Sequence, residues 1–123
     1  MKREVNIGVI GLGRIGKLHI QNIIAQIPEV KLTGISDIVD NSLREVAQKY
    51  DIPVVEKDYH CLLDNKQIQA IVICSSTDTH AQIINEAARA GKHVFCEKPI
   101  ALNIDEIDQA LEAVKKSGIK LQI

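Results

Sequence analysis

Three short stretches of this sequence carry residue types at spacings that could do chemistry. The first is Gly11-Leu12-Gly13-Arg14-Ile15-Gly16, a G-x-G-x-x-G run, with Asp37 about 20 residues beyond it. Gly11 permits a tight turn, Gly13 lets the backbone approach a pyrophosphate, and Gly16 lets a helix pack close to a strand. The bare N–H groups and positive end of that helix would hold phosphates. Asp37 would accept hydrogen bonds from a ribose diol and repel a 2′-phosphate, which favours NAD over NADP. Its neighbour is Ile38, so no phosphate-binding side chain follows directly. Arg44, one turn into the next helix, either reaches back towards the ribose or faces solvent. The second stretch is Ser75-Ser76-Thr77-Asp78, followed by His80. His80 is expected either at a nicotinamide ribose or substrate, or as a polar surface residue. The third is Glu97-Lys98-Pro99. By position alone, Lys98 is equally a solvated turn lysine or an ammonium aimed at a reacting carbon, stabilising a developing alkoxide. Pro99 fixes the turn, with a cis or a trans bond.

The elements that would position these stretches alternate between strand and helix. The spacing predicts strands over about 5–10, 30–36, 54–55, 70–74, 93–96 and 119–123. It predicts helices over about 14–26, 42–50, 58–63, from His80 to Gly91, and from Asn103 to Gly118. Ile15, Leu18, His19, Ile23 and Ile27 form the expected inward face of the first helix, and Ile104, Ile107, Leu111 and Val114 that of the last. Ser42-x-x-Glu45 reads as a capping box, and Asn103-x-x-Glu106 as a helix start. The expected fold is α/β: a doubly wound parallel sheet of the Rossmann type with about six strands in the order 3-2-1-4-5-6. All three chemical stretches then project from the carboxyl edge of that sheet.

Composition narrows the class. The chain has 123 residues, enough for one domain over residues 1–123, and a formal net charge of -1. That charge, with no basic stripe, argues against nucleic acid and membrane as partners. Apolar stretches are strand-sized, and Met1-Lys2-Arg3-Glu4 is not a signal peptide, so a cytoplasmic location is expected. Cys61, Cys74 and Cys96 lack C-x-x-C spacing, and His19, His60 and His93 show no ligand spacing, so no disulfide framework or metal site is expected. An apolar run ends at Ile123 with no closing helix, which suggests an N-terminal domain whose C-terminal substrate and oligomerisation domain is absent. Two other classes compete: a non-catalytic dinucleotide-sensing module, which would not need Lys98, and an S-adenosylmethionine methyltransferase, against which the glycine spacing and Lys98-Pro99 argue.

The whole chain resembles the N-terminal domain of the glucose–fructose oxidoreductase / inositol dehydrogenase / MocA family. The matching pieces are Gly8 to His19, Ser36-Asp37, Thr77-Asp78-Thr79-His80, and Ala90-Gly91-Lys92-His93-Val94-Phe95-Cys96-Glu97-Lys98-Pro99. Within the family it is similar to the bacterial inositol 2-dehydrogenase branch. The resemblance implies NAD as cofactor and Lys98 as the active-site lysine, working with an Asp and a His on a second domain. It also implies oxidation of a secondary alcohol of a cyclic polyol, myo-inositol to the 2-keto inositol, or of another sugar or sugar derivative. A homo-oligomer, dimer or tetramer, is implied for the full protein, and no turnover for this chain alone. The expected cofactor contacts are Gly11, Leu12, Gly13, Arg14, Ile15, Gly16, Asp37, Ile38, Ser75, Ser76, Thr77, His80, Glu97 and Lys98. The family often has Pro where this chain has Ser76, so a less rigid loop is expected there.

Overall fold

The alternating pattern folds as one sheet. The computed structural model describes residues 4–123. Its elements are β1 (Val5–Ile10), α1 (Arg14–Gln26), β2 (Val30–Ser36), α2 (Asp40–Lys49), β3 (Val54–Glu56), α3 (His60–Leu63), β4 (Ala70–Ile73), α4 (His80–Arg89), β5 (His93–Cys96), α5 (Ile104–Ser117) and β6 (Leu121–Gln122). A 3-10 turn, Thr77–Thr79, leads into α4. The strand order is β3-β2-β1-β4-β5-β6, and every pairing is parallel. Ile10 is in register with both Ser36 and Ile73, and Ile73 with Cys96. The carboxyl ends of β1, β2, β4 and β5 therefore finish level, and the loops that follow them share one edge.

Two cores flank the sheet. Alternate residues of each strand point to opposite faces. Ile7 and Val9 join Leu32, Val72 and the α1–α2 residues Ile20, Ile23, Leu43 and Val46. Ile10, Ile71 and Ile73 join Leu62, Ile83, Ile84 and Ala110 on the side of α3, α4 and α5. On the α1 side, β5 lacks a covering helix, and Phe95 is 37% exposed there.

Three local expectations are corrected. The face that α1 buries is Gly16, Ile20 and Ile23, whereas Ile15, Leu18 and Ile27 are exposed. The reason is that Gly16 is the point of closest approach, and it sets the buried line at i, i+4 and i+7. Second, α2 starts at Asp40, and its cap residue Val39 makes no side-chain cap. The Ser42–Glu45 box does not form: the Asp37 turn already holds Val39 N–H (2.8 Å), and Glu45 instead accepts from Lys17 Nζ at 2.7 Å. Third, α5 buries Ala110, with Ile107 and Val114 partly covered, and leaves Ile104 and Leu111 exposed. A small residue at the contact lets α5 lie close to α4. The expected start of α5 does hold: Asn103 Oδ1 accepts from Glu106 N–H at 2.9 Å, and Gly118 ends the helix at φ 73°.

Lys92 ties the amino edge of the sheet together. It is 6% exposed, and its Nζ donates to the carbonyls of Asn65 (2.7 Å) and Ile68 (2.6 Å). It thereby joins the α3–β4 connection to the start of β5, and burial pushes its amine below the ordinary lysine value. Lys92→Met would leave both carbonyls without that donor. We expect an unfolding free energy lower by about 1–3 kcal/mol, measured by urea denaturation, and an unchanged midpoint would contradict the role.

Candidate functional site

The loop after β1 is built by two close contacts. Gly11 has φ 95°, and a Cβ there would lie 2.5 Å from the Cys74 carbonyl carbon and the Ser75 nitrogen. A Cβ on Gly16 would lie 2.0 Å from the Gly11 carbonyl oxygen. Only glycines allow α1 to begin this near the end of β1. Gly13 caps α1 without a side-chain hydrogen bond, and the first turn of the helix holds no acidic residue. A Cβ on Gly13 would meet nothing within 4 Å, so open space lies over the helix start. The N–H groups at a helix start lack intrahelical partners and carry the positive end of the dipole. This arrangement fits a pyrophosphate.

Asp37 closes the other side of the cleft. Its Oδ2 accepts from Leu12 N–H at 2.6 Å and its Oδ1 from Val39 N–H at 2.8 Å. A carboxylate has about four acceptor sites, so capacity remains for two neighbouring hydroxyls. Asp37 and the glycine loop line a cleft of about 400 Å³ with Ile38, Ser36, Cys74, Ser75 and Ser76. A larger hollow of about 680 Å³ lies against the bare sheet face beside α1. Its lining is mainly aliphatic, whereas the smaller cleft has the carboxylate, the hydroxyls and the open helix start, so the smaller one fits a polar, anionic ligand.

The loops after β4 and β5 are braced by histidines. Ser75 and Thr79 share a hydroxyl hydrogen bond of 2.8 Å, and Thr79 Oγ1 donates to the Ser76 carbonyl at 2.6 Å. His80 is 2% exposed, which corrects the surface reading. Its Nδ1 lies 2.7 Å from the Pro99 carbonyl and its Nε2 2.9 Å from the Ser75 carbonyl. Its ring therefore stands as a strut between the two loops and borders the cleft through Ser75. On the other flank, His19 Nε2 lies 2.7 Å from Glu97 Oε1, with its ring edge-on to Phe95. Glu97 N–H donates to Ile73 O at 3.0 Å. Lys98 stands between these two braces, before a cis Lys98–Pro99 bond. It is exposed, and its ammonium makes no hydrogen bond or ion pair among the described residues.

The structure gathers Gly11, Gly13, Asp37, Ile38, Ser75 and Ser76 directly around the cleft. Gly16 and the buried Leu12 shape it from behind, and Arg14 and Ile15 lie exposed at the start of α1. Thr77 sits in the 3-10 turn, while Glu97 and Lys98 stand outside the cleft lining. Cys74 and Cys96 are buried, and burial, with Glu97 nearby, pushes each thiol up to about 12. Among the described residues no group of three His, Cys, Asp or Glu is arranged for a metal.

Sequence reasoning missed Lys57, Tyr59, Thr79 and Gln82, all on the cleft wall. Strand order held the signal for two of them: β3 lies beside β2, so Lys57 and Tyr59 emerge next to Asp37. The cation that lines the cleft with Asp37 is Lys57, held by Asp40 at 3.3 Å, and Arg44 does not line the cleft.

A parallel sheet in this order, with an anion-receptive helix start and a carboxylate at the next strand end, defines a dinucleotide-binding α/β domain. Residues 5–123 match GFO_IDH_MocA, an oxidoreductase family with an NAD-binding Rossmann fold, and the chain belongs to that family. It is 48% identical over 123 residues to an uncharacterised oxidoreductase, YrbE, of Bacillus subtilis, covering all of this chain and 36% of that protein. It is 42% identical to the myo-inositol 2-dehydrogenase of Thermotoga maritima, covering 95% of this chain and 35% of that one. Among solved structures, scyllo-inositol dehydrogenase from Lactobacillus casei, with bound cofactor NAD(H) and scyllo-inositol, aligns with a TM-score of 0.92 and 34% identity. That alignment covers 98% of this chain and 36% of the other. The chain thus spans about a third of the length of the relatives it matches.

Open space over Gly13 makes it a clean probe. Gly13→Val is expected to keep the melting temperature within about 2 °C while weakening NADH at least about tenfold, because the new side chain meets only the ligand's volume. Fluorescence titration beside thermal unfolding checks both halves. For Asp37→Ala we expect NADH affinity to fall by about tenfold, and the preference over NADPH to shrink; an unchanged preference in paired titrations would remove the proposed role of the carboxylate.

Proposed function

We propose that this chain is the cofactor-binding domain of an NAD-dependent dehydrogenase that oxidises a secondary alcohol of a cyclic polyol, myo-inositol to the 2-keto inositol. The observation that carries this reading is Lys98, without a partner among the described residues and braced on both flanks at the edge that also carries the glycine loop and Asp37. When bound, NAD supplies a hydride acceptor at C4 of its nicotinamide. The start of α1 holds the pyrophosphate, Asp37 and Ile38 meet the adenosine ribose, and Ser75, Ser76 and Thr77 line the path towards the nicotinamide. The Lys98 ammonium donates to the substrate oxygen, which favours the alkoxide as the hydroxyl proton leaves. Names of similar proteins support the substrate class: both myo- and scyllo-inositol dehydrogenases are among them.

The relatives' greater length supports placing the substrate pocket, its acid–base partners and a homo-oligomer interface in residues outside this chain. No helix among the described residues is long and apolar enough to cross a membrane. That fact, with the near-neutral charge, supports a cytoplasmic enzyme without nucleic-acid or membrane partners.

A protein carrying this domain at the relatives' length is expected to oxidise myo-inositol with NAD in a steady-state assay against a polyol panel. The 123-residue chain alone is expected to bind NADH without turnover. Activity confined to another sugar would replace the substrate and keep the class. In the longer protein, Lys98→Met should lower kcat by about a hundredfold or more, with NADH affinity within about twofold; unchanged turnover would remove Lys98 from this role.

A further inference from the structure

One end of the cleft has no role in the reading above. Beyond Asp37, its wall is made by Tyr59, which follows β3, and Gln82, in the first turn of α4. Glu86 gathers both. Its Oε1 accepts from Tyr59 Oη at 3.0 Å and from Gln82 Nε2 at 2.8 Å. His60 bridges the other oxygen of Glu86 and Asp58 Oδ1, the latter at 2.6 Å.

This network sets the polarity of the wall. Burial raises the Glu86 carboxyl, but the hydrogen bonds from Gln82, Tyr59 and His60 bring it below its ordinary value. An ionised carboxylate only accepts. Tyr59 must therefore donate to it, and Gln82 must present its nitrogen. The Gln82 carbonyl oxygen is left without a partner among the described residues, on a side chain that lines the cleft near Ser76 and Thr79. On the lip of the same cleft stands Ile38, 83% exposed, a large aliphatic side chain left in water. A flat apolar face would cover it.

Resting on the NAD reading, we propose that this wall reads the base of the dinucleotide: Gln82 Oε1 accepts from the exocyclic amino group of adenine while Ile38 covers the ring. A 6-oxo purine would place a carbonyl oxygen against Gln82 Oε1, two acceptors with no proton between them. Gln82 cannot answer by turning its amide, because its nitrogen is held by Glu86. Gln82 is thus a specificity-determining residue, and Glu86 the residue that positions it.

The test titrates the 123-residue chain with NADH and with reduced nicotinamide hypoxanthine dinucleotide, which differ at that amino group. We expect NADH to bind about tenfold more tightly. Gln82→Leu should bring NADH down to the level of the hypoxanthine analogue and leave the analogue within about twofold, with unchanged thermal unfolding because Gln82 is exposed. Glu86→Gln, which frees the Gln82 amide to turn, should shrink the preference towards parity. Equal binding of the two dinucleotides, or a preference that survives Gln82→Leu, would overturn the inference and leave the NAD reading standing. Failure of the chain to bind NADH at all would overturn both.

Discussion

The geometry of the cleft depends on how near α1 comes to the end of β1. Gly16 sits where any Cβ would press on the Gly11 carbonyl, and Gly11 sits where any Cβ would press on the Cys74–Ser75 peptide. Van der Waals repulsion at 2.0–2.5 Å is prohibitive, so two absent side chains determine where the helix begins. The consequences spread outward. Gly11 N–H reaches the Ser36 carbonyl at 2.9 Å, and Leu12 N–H reaches Asp37. The end of β2 is thereby fastened to the loop after β1, and the helix start faces the space between them. The same contact selects which face of α1 is buried, and so which aliphatic residues are left in water.

Polar side chains, not further apolar packing, fasten the remaining loops. Asp37 joins the ends of β1 and β2, His80 joins the loops after β4 and β5, and His19 joins α1 to the end of β5 through Glu97. Two lysines flank β5 and show how placement separates their uses. Lys92, before the strand, has its ammonium committed to two backbone carbonyls in a buried setting. Lys98, after the strand, has both sequence neighbours held by histidines, while its ammonium has no partner among the described residues. The first is spent on structure, and only the second is available to a ligand.

Much of the fold was legible because it rests on periodicity and on glycine. Short apolar runs located the six strands, and their alternation with helices pointed to the doubly wound order. Asn103 was readable as a cap because its role is local. What escaped depends on how elements and loops meet, not on the pattern within any one element. The inward face of α1 is set by Gly16 against Gly11, not by its most apolar line, and that of α5 by the small Ala110. The start of α2 lies two residues before Ser42 because the turn at Asp37, which holds Val39 N–H, leads straight into the helix. For His80 the sequence leaves a ribose or substrate contact and a surface position both open, and only the tertiary fold brings the Ser75 and Pro99 carbonyls to its two nitrogens. Gln82 and Glu86 stand one turn apart on α4, Tyr59 comes from the segment after β3, and the three share no motif.

The protonated state of the cysteines bears on the chemistry open to the cleft. An oxidised nicotinamide is an electrophile at the same carbon that receives hydride, and a thiolate is a strong nucleophile. Cys74 lines the cleft and Cys96 ends the adjacent strand, yet both thiols hold their protons to about 12. At neutral pH both are protonated thiols. They fill volume at the edge of the sheet, and in that form they are poorly suited to add to a nicotinamide ring or to enter thiol–disulfide exchange.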